Sequence, residues 1–201
     1  MNNITEIYNL IFEAGCLKFG EFKLKSGIIS PIYVDLRLLV SHPKTLAKIG
    51  ETFAEKCKEI GCDRIAGIPY AGVPLGVAAS IAGNIPMIYP RKEVKAYGTG
   101  KTIEGAFNAG EKVIVIDDLI TDGASKIEAI APLKDAGLKV TDVLVILDRE
   151  QGGKQLLADA GYQLHSLGTL SEIMEVLVFS RKIEKSVQVK VAEFISEHQF
   201  K

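Results

Sequence analysis

The chain has 201 residues, 47% of them hydrophobic, and a formal net charge of −1. A chain of this length and composition buries one sizeable core and is expected to form one domain or two. Because no excess of charge surrounds the molecule, we expect it to bind neither nucleic acid nor a membrane surface through its overall field.

Residues 1–40 predict one helix and a pair of strands. The N-terminal segment has no basic stretch followed by an apolar run, so no secretory signal is expected. Asn3 and Glu6 have the spacing of an N-terminal capping pair for a helix that reaches Leu17. Residues 19–36 then alternate between apolar and polar side chains, as strands do.

Helices and strands alternate along the rest of the chain. Apolar residues at spacings of three and four predict a helix from Pro43 to Ile60, which Gly61 ends. The next predicted elements are strand 64–68, helix 73–82, strand 85–89, strand 113–116, helix 125–136, strand 140–147, helix 155–160, strand 162–166 and helices 169–179 and 183–198. This order predicts an α/β fold with a mainly parallel sheet and helices on both faces. Such folds bind ligands at the carboxyl ends of their strands.

The most specific motif follows the strand at 113–116. Asp117 and Asp118 come directly after this strand, and a loop of small residues then opens a helix at Ser125. Glycine allows the loop to curl, and the helix N-terminus offers free N–H groups, so the motif predicts a phosphate site. The alternative is a tight turn in which Ser125 or Asp122 only caps the helix.

Residues 91–110 carry no helical or strand period and are basic at their start. Arg91, Lys92 and Lys95 lie within five residues. Cations on a glycine-bearing loop suit a pyrophosphate group that is covered during a reaction and released afterwards; a solvated surface loop is the alternative. The segment 98–102 resembles part of a P-loop, but Lys95 stands where that motif requires glycine, and no helix follows.

Three other segments are candidate ligand contacts. Lys25 lies in a turn beside a strand, where it is either a phosphate ligand or an ordinary hairpin lysine. The turn at 68–74 ends a strand and offers N–H groups, unless it serves only packing. Arg149 follows the predicted strand at 140–147, and its planar guanidinium suits a carboxylate substrate. A surface ion pair of Arg149 with Asp148 or Glu150 is the alternative.

The remaining reactive residues predict no metal centre. Cys16, Cys57 and Cys62 form no CxxC pattern, so we expect reduced thiols in a cytoplasmic protein. The three histidines are scattered along the chain. No apolar run reaches about 18 residues, so no membrane span is predicted.

Taken in this order, five segments resemble the orotate phosphoribosyltransferases, a branch of the type I phosphoribosyltransferase family. They are residues 22–27, 30–35, 91–98, the acidic motif and 147–154. The resemblance covers nearly the whole chain, and it implies the type I fold as a single domain over residues 1–201. It also implies a hood at about 1–40, a core at about 41–201 and a mobile loop at about 91–110.

The amino-acid sequences of the segments at 31–35 and 148–154 are similar to those in the first domain of animal UMP synthases. The decarboxylase domain of those proteins is absent here. We therefore expect either a monofunctional enzyme or one domain of a longer protein, because residue 201 falls where such a domain would end.

The resemblance implies transfer of a phosphoribosyl group from 5-phosphoribosyl-1-diphosphate (PRPP) to orotate, giving orotidine 5′-monophosphate and pyrophosphate in pyrimidine biosynthesis. It implies Mg²⁺, bound mainly through PRPP near Asp117 and Asp118 rather than by the protein alone. It also implies a homodimer in which the basic loop completes the site of the neighbouring subunit.

By position, the resemblance implies specific contacts. The residues implied to contact PRPP are Lys25, Tyr70, Ala71, Arg91, Lys92, Lys95, Tyr97, Asp117, Asp118, Leu119, Ile120, Thr121, Asp122, Gly123, Ala124 and Ser125. Those implied to contact orotate are Tyr33, Val34, Thr121 and Arg149. The implied catalytic residues are Lys95, Arg91, Asp117 and Asp118, with Lys95 the most important for the rate.

Two residues depart from the family pattern. Asp122 stands where relatives carry a small neutral residue, so its carboxylate is expected to weaken phosphate binding unless it points to solvent. Tyr97 replaces a histidine found in many bacterial members, which argues against an obligatory proton transfer at that position.

Two other functions remain as alternatives. One is phosphoribosyl transfer to a different base, against which Arg149 and the segment around Tyr33 favour an acidic pyrimidine. The other is a ligand-sensing regulator of transcription, which would carry a DNA-binding extension or a basic face. The net charge of −1 argues against that function.

Overall fold

The structure is a computed structural model that describes residues 3–23, 27–92 and 102–200. Within these ranges the α-helices are α1 (Asn3–Glu13), α2 (Pro43–Ile60), α3 (Gly72–Gly83), α4 (Ala124–Asp135), α5 (Gly153–Asp159), α6 (Leu170–Phe179) and α7 (Lys185–Glu197). The strands are β1 (Leu17–Lys23), β2 (Ile29–Val34), β3 (Arg64–Gly67), β4 (Met87–Pro90), β5 (Ile103–Glu104), β6 (Lys112–Ile120), β7 (Lys139–Asp148) and β8 (Gln163–Thr169). A 3-10 helix spans Leu36–Ser41.

The strands form two sheets. The larger sheet has the order β5-β4-β3-β6-β7-β8, and all its pairings are parallel except that of β4 with β5. The smaller sheet is the antiparallel pair β1 and β2. The larger sheet and its helices confirm the predicted α/β class, because each parallel connection needs a crossover that covers one face.

The central strand β6 divides the core into two layers. Ile114 and Ile116 belong to the layer under α2, α6 and α7, whereas Val113 and Val115 belong to the layer under α4 and α5. All four side chains are fully buried. Successive side chains of a strand point to opposite faces, so a run without polar residues is what a strand covered on both sides requires.

Two of the boundaries that differ from the sequence prediction have a clear physical reason. The first helix ends at Glu13 rather than Leu17, because Leu17 pairs with Val34 in β1. Strand β6 continues past Ile116 to Ile120, because Ile120 still pairs with Asp148 of β7. Local pattern could not show this continuation, since the acidic residues break the apolar run while the pairing persists.

The interval 91–110 was predicted without a strand, and this is wrong for part of it. Ile103 and Glu104 form β5 against Pro90 and Tyr89, and the Arg91 N–H donates to the Thr102 carbonyl at 2.8 Å. A strand of two residues is too short to show a period. Arg91 and Thr102 are therefore held together at the edge of the sheet.

None of the helices in the described ranges is both long enough and apolar enough to cross a membrane.

Candidate active site

The two carboxylates of the acidic motif have different surroundings, although they are adjacent in β6. Asp117 is buried; its Oδ1 accepts from the Asp118 N–H at 2.9 Å, and its Oδ2 lies 2.6 Å from the Lys126 ammonium. One oxygen of Asp118 accepts from the Leu119 N–H at 2.8 Å. Burial raises the pKa of Asp118 to about 6, and the nearby Asp117 carboxylate adds to the rise while Lys126 opposes it.

The loop after β6 has the geometry of an anion cradle. Gly123 precedes α4 with φ 88°, a conformation that side chains disfavour. The first N–H groups of α4 have no acceptor within the helix and carry the positive end of its dipole. Asp122 occupies one of them, because its carboxylate accepts from the Ala124 N–H at 3.2 Å. An incoming phosphate therefore has to compete with Asp122 for this group.

The turn after β3 is pressed against the acidic end of β6. A Cβ on Gly72 would lie 2.2 Å from the Ile116 carbonyl oxygen and 3.1 Å from the Asp117 Cα, so only glycine fits there. The Ile68 N–H donates to the same carbonyl at 2.9 Å. This contact places Tyr70 and Ala71 beside the carboxylates, as the sequence predicts for the carboxyl ends of neighbouring parallel strands.

A cleft of about 390 Å³ connects this turn with the start of the basic loop. Its walls are Pro69, Tyr70, Val73, Pro74, Tyr89, Arg91, Lys92 and Glu104. The Lys92 ammonium lies 4.9 Å from the centre of the Tyr70 ring, and Arg91 pairs with Glu104 at 3.0 Å. Tyr70, Arg91 and Lys92 thus come together, whereas Lys25, Lys95 and Tyr97 lie outside the described residues.

Arg149 stands at the end of β7, one strand away from the carboxylates. Its N–H donates to the Ile120 carbonyl at 3.0 Å. Its Nε is buried and has no hydrogen-bond partner among the described residues. The neighbouring carboxylates are engaged elsewhere, since Asp148 accepts from the Glu150 N–H and Glu150 accepts from the Ser171 N–H.

The surface ion pair considered for Arg149 is therefore absent from the described contacts. Burial lowers the pKa of the Arg149 guanidinium because the charged form loses its hydration. A buried N–H group without an acceptor is costly, and an anion that supplied an acceptor to the Arg149 Nε would relieve this cost.

Tyr33 and Val34 lie in the smaller sheet. The Tyr33 ring packs on Phe22, and the Tyr33 hydroxyl accepts from Arg37 at 3.5 Å. Arg37 lines an apolar groove together with Tyr70, so it links the hood with the turn after β3. Between described atoms, no hydrogen bond or ring contact joins Tyr33 or Val34 to Arg149.

Three residues that sequence reasoning missed shape this site: Lys126, Arg37 and Gly72. Lys126 had a detectable signal, because a cation in the first turn of a helix opposes the dipole and calls for a compensating partner. Gly72 lay within a predicted turn, but its contact with β6 depends on strand order. Arg37 had no local signal.

Two members of the acidic motif attach it to the rest of the fold. The Ile120 side chain is fully buried in the core, and Thr121 uses its carbonyl to accept from the Gly153 N–H at 2.9 Å. Their backbone therefore holds the loop against the start of α5. In the described part of the chain, no group of three or more His, Cys, Asp or Glu side chains is placed to hold a metal ion.

Comparison with known proteins finds relatives among UMP synthases and orotate phosphoribosyltransferases. No protein-family model matches the chain. It is 40% identical over 192 residues to the uridine 5′-monophosphate synthase of Bos taurus, covering 94% of this chain and 40% of that protein. It is 38% identical over 178 residues to the orotate phosphoribosyltransferase of Pyrococcus horikoshii, covering 88% of this chain and 96% of that protein.

The structural comparison agrees with the sequence comparison. The UMP synthase of Leishmania donovani superposes with a TM-score of 0.88 and 37% identity, over 96% of this chain and 42% of that one. The chain thus spans about two fifths of the bovine and Leishmania proteins and nearly all of the Pyrococcus protein. With this near-complete match, the chain belongs to the orotate phosphoribosyltransferase family.

Proposed function

We propose that the chain transfers the 5-phosphoribosyl group of PRPP to orotate, giving orotidine 5′-monophosphate and pyrophosphate in pyrimidine biosynthesis. The observation that carries this proposal is Arg149, whose buried Nε has no hydrogen-bond partner among the described residues, at the same sheet edge as the anion cradle. A carboxylate-bearing base would supply a charged acceptor. A neutral base such as uracil or hypoxanthine offers only uncharged carbonyl acceptors and leaves the charge of the guanidinium uncompensated.

Each loop has one part of the substrate to hold. The loop at 121–125 receives the 5′-phosphate on N–H groups at the start of α4. The acidic end of β6 accepts hydrogen bonds from the ribose hydroxyls. The turn at 69–72, with Arg91, Lys92 and Lys95, holds the pyrophosphate.

The reaction breaks the bond between ribose C1 and the pyrophosphate oxygen and forms a bond from that carbon to the orotate nitrogen. Positive charge develops on the ribose as the leaving group departs, so the protein needs no covalent nucleophile. Positioning and electrostatic stabilisation supply the catalysis. The cations around the cleft stabilise the negative charge that accumulates on pyrophosphate.

Magnesium fits this site as a companion of PRPP. Asp117 is already paired with Lys126, so the described residues at this edge offer too few free oxygens to surround a divalent cation alone. Mg²⁺ keeps several waters and is commonly bound through substrate phosphates with one or two carboxylates. Bound in this way, it would neutralise charge on the departing pyrophosphate.

The exposed face of α3 supports assembly into a homodimer. The helix is apolar on all sides, and Val77 and Ile81 are 45% and 78% exposed. Tyr70, which is 67% exposed, continues this surface towards the cleft. An apolar patch beside an active site is typical of an interface, and a two-fold axis here would bring each basic loop to the neighbouring site.

A direct assay tests the proposal against its alternatives. Purified protein with PRPP and Mg²⁺ is expected to consume orotate, followed by its absorbance, and to leave uracil and hypoxanthine unchanged. Turnover of another base without orotate would assign a different transferase. Binding of PRPP without turnover of any base would instead favour the ligand-sensing function.

Replacing Arg149 with lysine is expected to raise the KM for orotate while leaving the KM for PRPP nearly unchanged. Lysine keeps the charge but loses the bidentate fork. A hydrogen bond to a charged group contributes about 1.5–3 kcal/mol, so the increase should be roughly tenfold to a hundredfold. Arg181→Lys, at an exposed position after α6, is the control. A selective loss of PRPP affinity would place Arg149 at the wrong end of the site.

Replacing Asp118 with asparagine is expected to impair catalysis and to stabilise the fold above pH 6. The folded-state pKa of about 6 exceeds the unfolded value of about 3.9, so Asp118 favours folding when protonated and loses that contribution as the pH rises. Thermal unfolding should show a gain of a few degrees at pH 8 and little gain at pH 4. Asp135→Asn, on the surface of α4, is the control. A destabilised variant at pH 8 would contradict the assignment.

Mixing two inactive variants tests the shared site. If Lys95 acts in the neighbouring subunit and Asp118 in its own, a Lys95→Ala and Asp118→Asn heterodimer contains one intact site. Random exchange makes about half of the dimers mixed, so roughly a quarter of wild-type activity should return. Mass spectrometry would verify the exchange. No recovery in verified heterodimers would mean that the loop serves its own chain.

A further inference from the structure

We propose that Lys126 is a positioning residue for the ribose site. Its ammonium holds the Asp117 carboxylate inside the fold, so that Asp118 is the acid that accepts hydrogen bonds from the ribose hydroxyls. This inference rests on the proposed function. It assigns a structural role to Asp117 and a ligand-binding role to Asp118.

The contacts of Asp117 carry this assignment. The Lys126 Nζ lies 2.6 Å from Asp117 Oδ2 and 3.5 Å from Ser125 Oγ. The side chains of Lys126 and Asp117 are only 7% and 9% exposed. The other Asp117 oxygen accepts from the Asp118 N–H. Each oxygen of Asp117 therefore already accepts one hydrogen bond from the protein, and little of the side chain is accessible to a ligand.

Asp118 differs in each of these respects. It is more exposed than Asp117, and only one of its oxygens accepts from an N–H group in the described part of the chain, that of Leu119. Its second oxygen accepts from no N–H group among the described residues, although the Asp117 carboxylate lies close to it. A ribose diol offers two O–H donors, which a carboxylate with a spare oxygen can accept.

The location of Lys126 argues that the pair has a purpose beyond packing. A lysine in the first turn of a helix opposes the helix dipole, and burying its ammonium costs hydration. Removing one partner of such a pair leaves an uncompensated charge in the interior. Here that charge would be a second free carboxylate beside Asp118.

The surroundings identify which groups set the charge of Asp118. Strand β6 supplies Asp117, and α4 supplies Lys126. The neighbouring elements α3 and β7 place the uncharged residues Gly72 and Val145 against Asp117, the residue before Asp118. Burial and the Asp117 carboxylate raise the pKa of Asp118 to about 6, and Lys126 opposes the rise. Loss of the Lys126 charge therefore favours the protonated form of Asp118, which cannot accept the diol equally well.

The experiment compares Lys126→Met with the neutral pair Asp117→Asn/Lys126→Met. For Lys126→Met we expect the KM for PRPP to rise about tenfold and the acid limb of kcat/KM to move up by about one pH unit, because one unit of pKa corresponds to a factor of ten. The KM for orotate should change less than about twofold. Lys134→Met removes a lysine from the exposed side of the same helix and is the matched control.

The neutral pair is the decisive variant. It leaves neither a buried unpaired charge nor a second carboxylate, so the KM for PRPP and the acid limb should return to within about threefold and about 0.3 pH unit of wild type. Asp118→Asn in the same background should abolish the recovery. A neutral pair as impaired as Asp118→Asn would overturn the proposal, because Asp117 would then be a ribose ligand itself.

These outcomes remain separable from failure of the proposed function. If Lys126→Met does not fold, the comparison of the neutral pair with wild type and Asp118→Asn still decides. If wild-type protein does not turn over orotate, the proposed function fails, and PRPP binding by calorimetry in the same variants tests Lys126 independently. Equal PRPP affinity in wild type, Lys126→Met and the neutral pair would show that the ion pair only stabilises the fold.

Discussion

The parallel pairing of β3, β6 and β7 is the constraint on which the site depends. Parallel strands end at the same edge of a sheet, so the three loops that follow them lie side by side. Gly72 allows the first of these loops to touch the backbone of β6, and the Ile120 carbonyl ties the third loop to the same strand. The anion cradle, the acidic pair and the guanidinium therefore occupy one edge of the sheet, although Asp117 and Arg149 are 32 residues apart in the sequence.

The charged side chains at this edge of the sheet differ in how fully the protein pairs them. The Asp117 carboxylate is paired with an ammonium inside the fold. The Asp118 carboxylate is destabilised by burial, and the buried Arg149 Nε has no partner among the described residues. Such groups weaken the isolated protein, and a substrate that supplies the missing hydrogen-bond partners recovers the lost interaction. The apolar α/β core supplies the stability that lets the site keep charged groups without a full set of partners.

The family of the chain follows from its whole sequence, whereas the choice of substrate follows from single side chains. Identity to orotate phosphoribosyltransferases along nearly the whole chain establishes the family. The proposed choice of an acidic base depends on one side chain, Arg149, and on its surroundings in this chain. Lys126 adds a residue that the sequence motif had not singled out.

The sequence alone determined the α/β class, the acidic phosphate loop and the candidate role of Arg149, because these depend on local signals: continuous apolar strands, glycine after paired acids, and a guanidinium at a strand end. The tertiary structure decided the rest. It extended β6 through Asp118 by pairing with β7, formed β5 from two residues without a period, and left Arg149 unpaired by engaging Asp148 and Glu150 elsewhere. It also set Lys126 against Asp117, nine residues apart, and so made two adjacent carboxylates unequal. Each of these outcomes depends on which atoms meet across elements, and a one-dimensional pattern carries no information about such contacts.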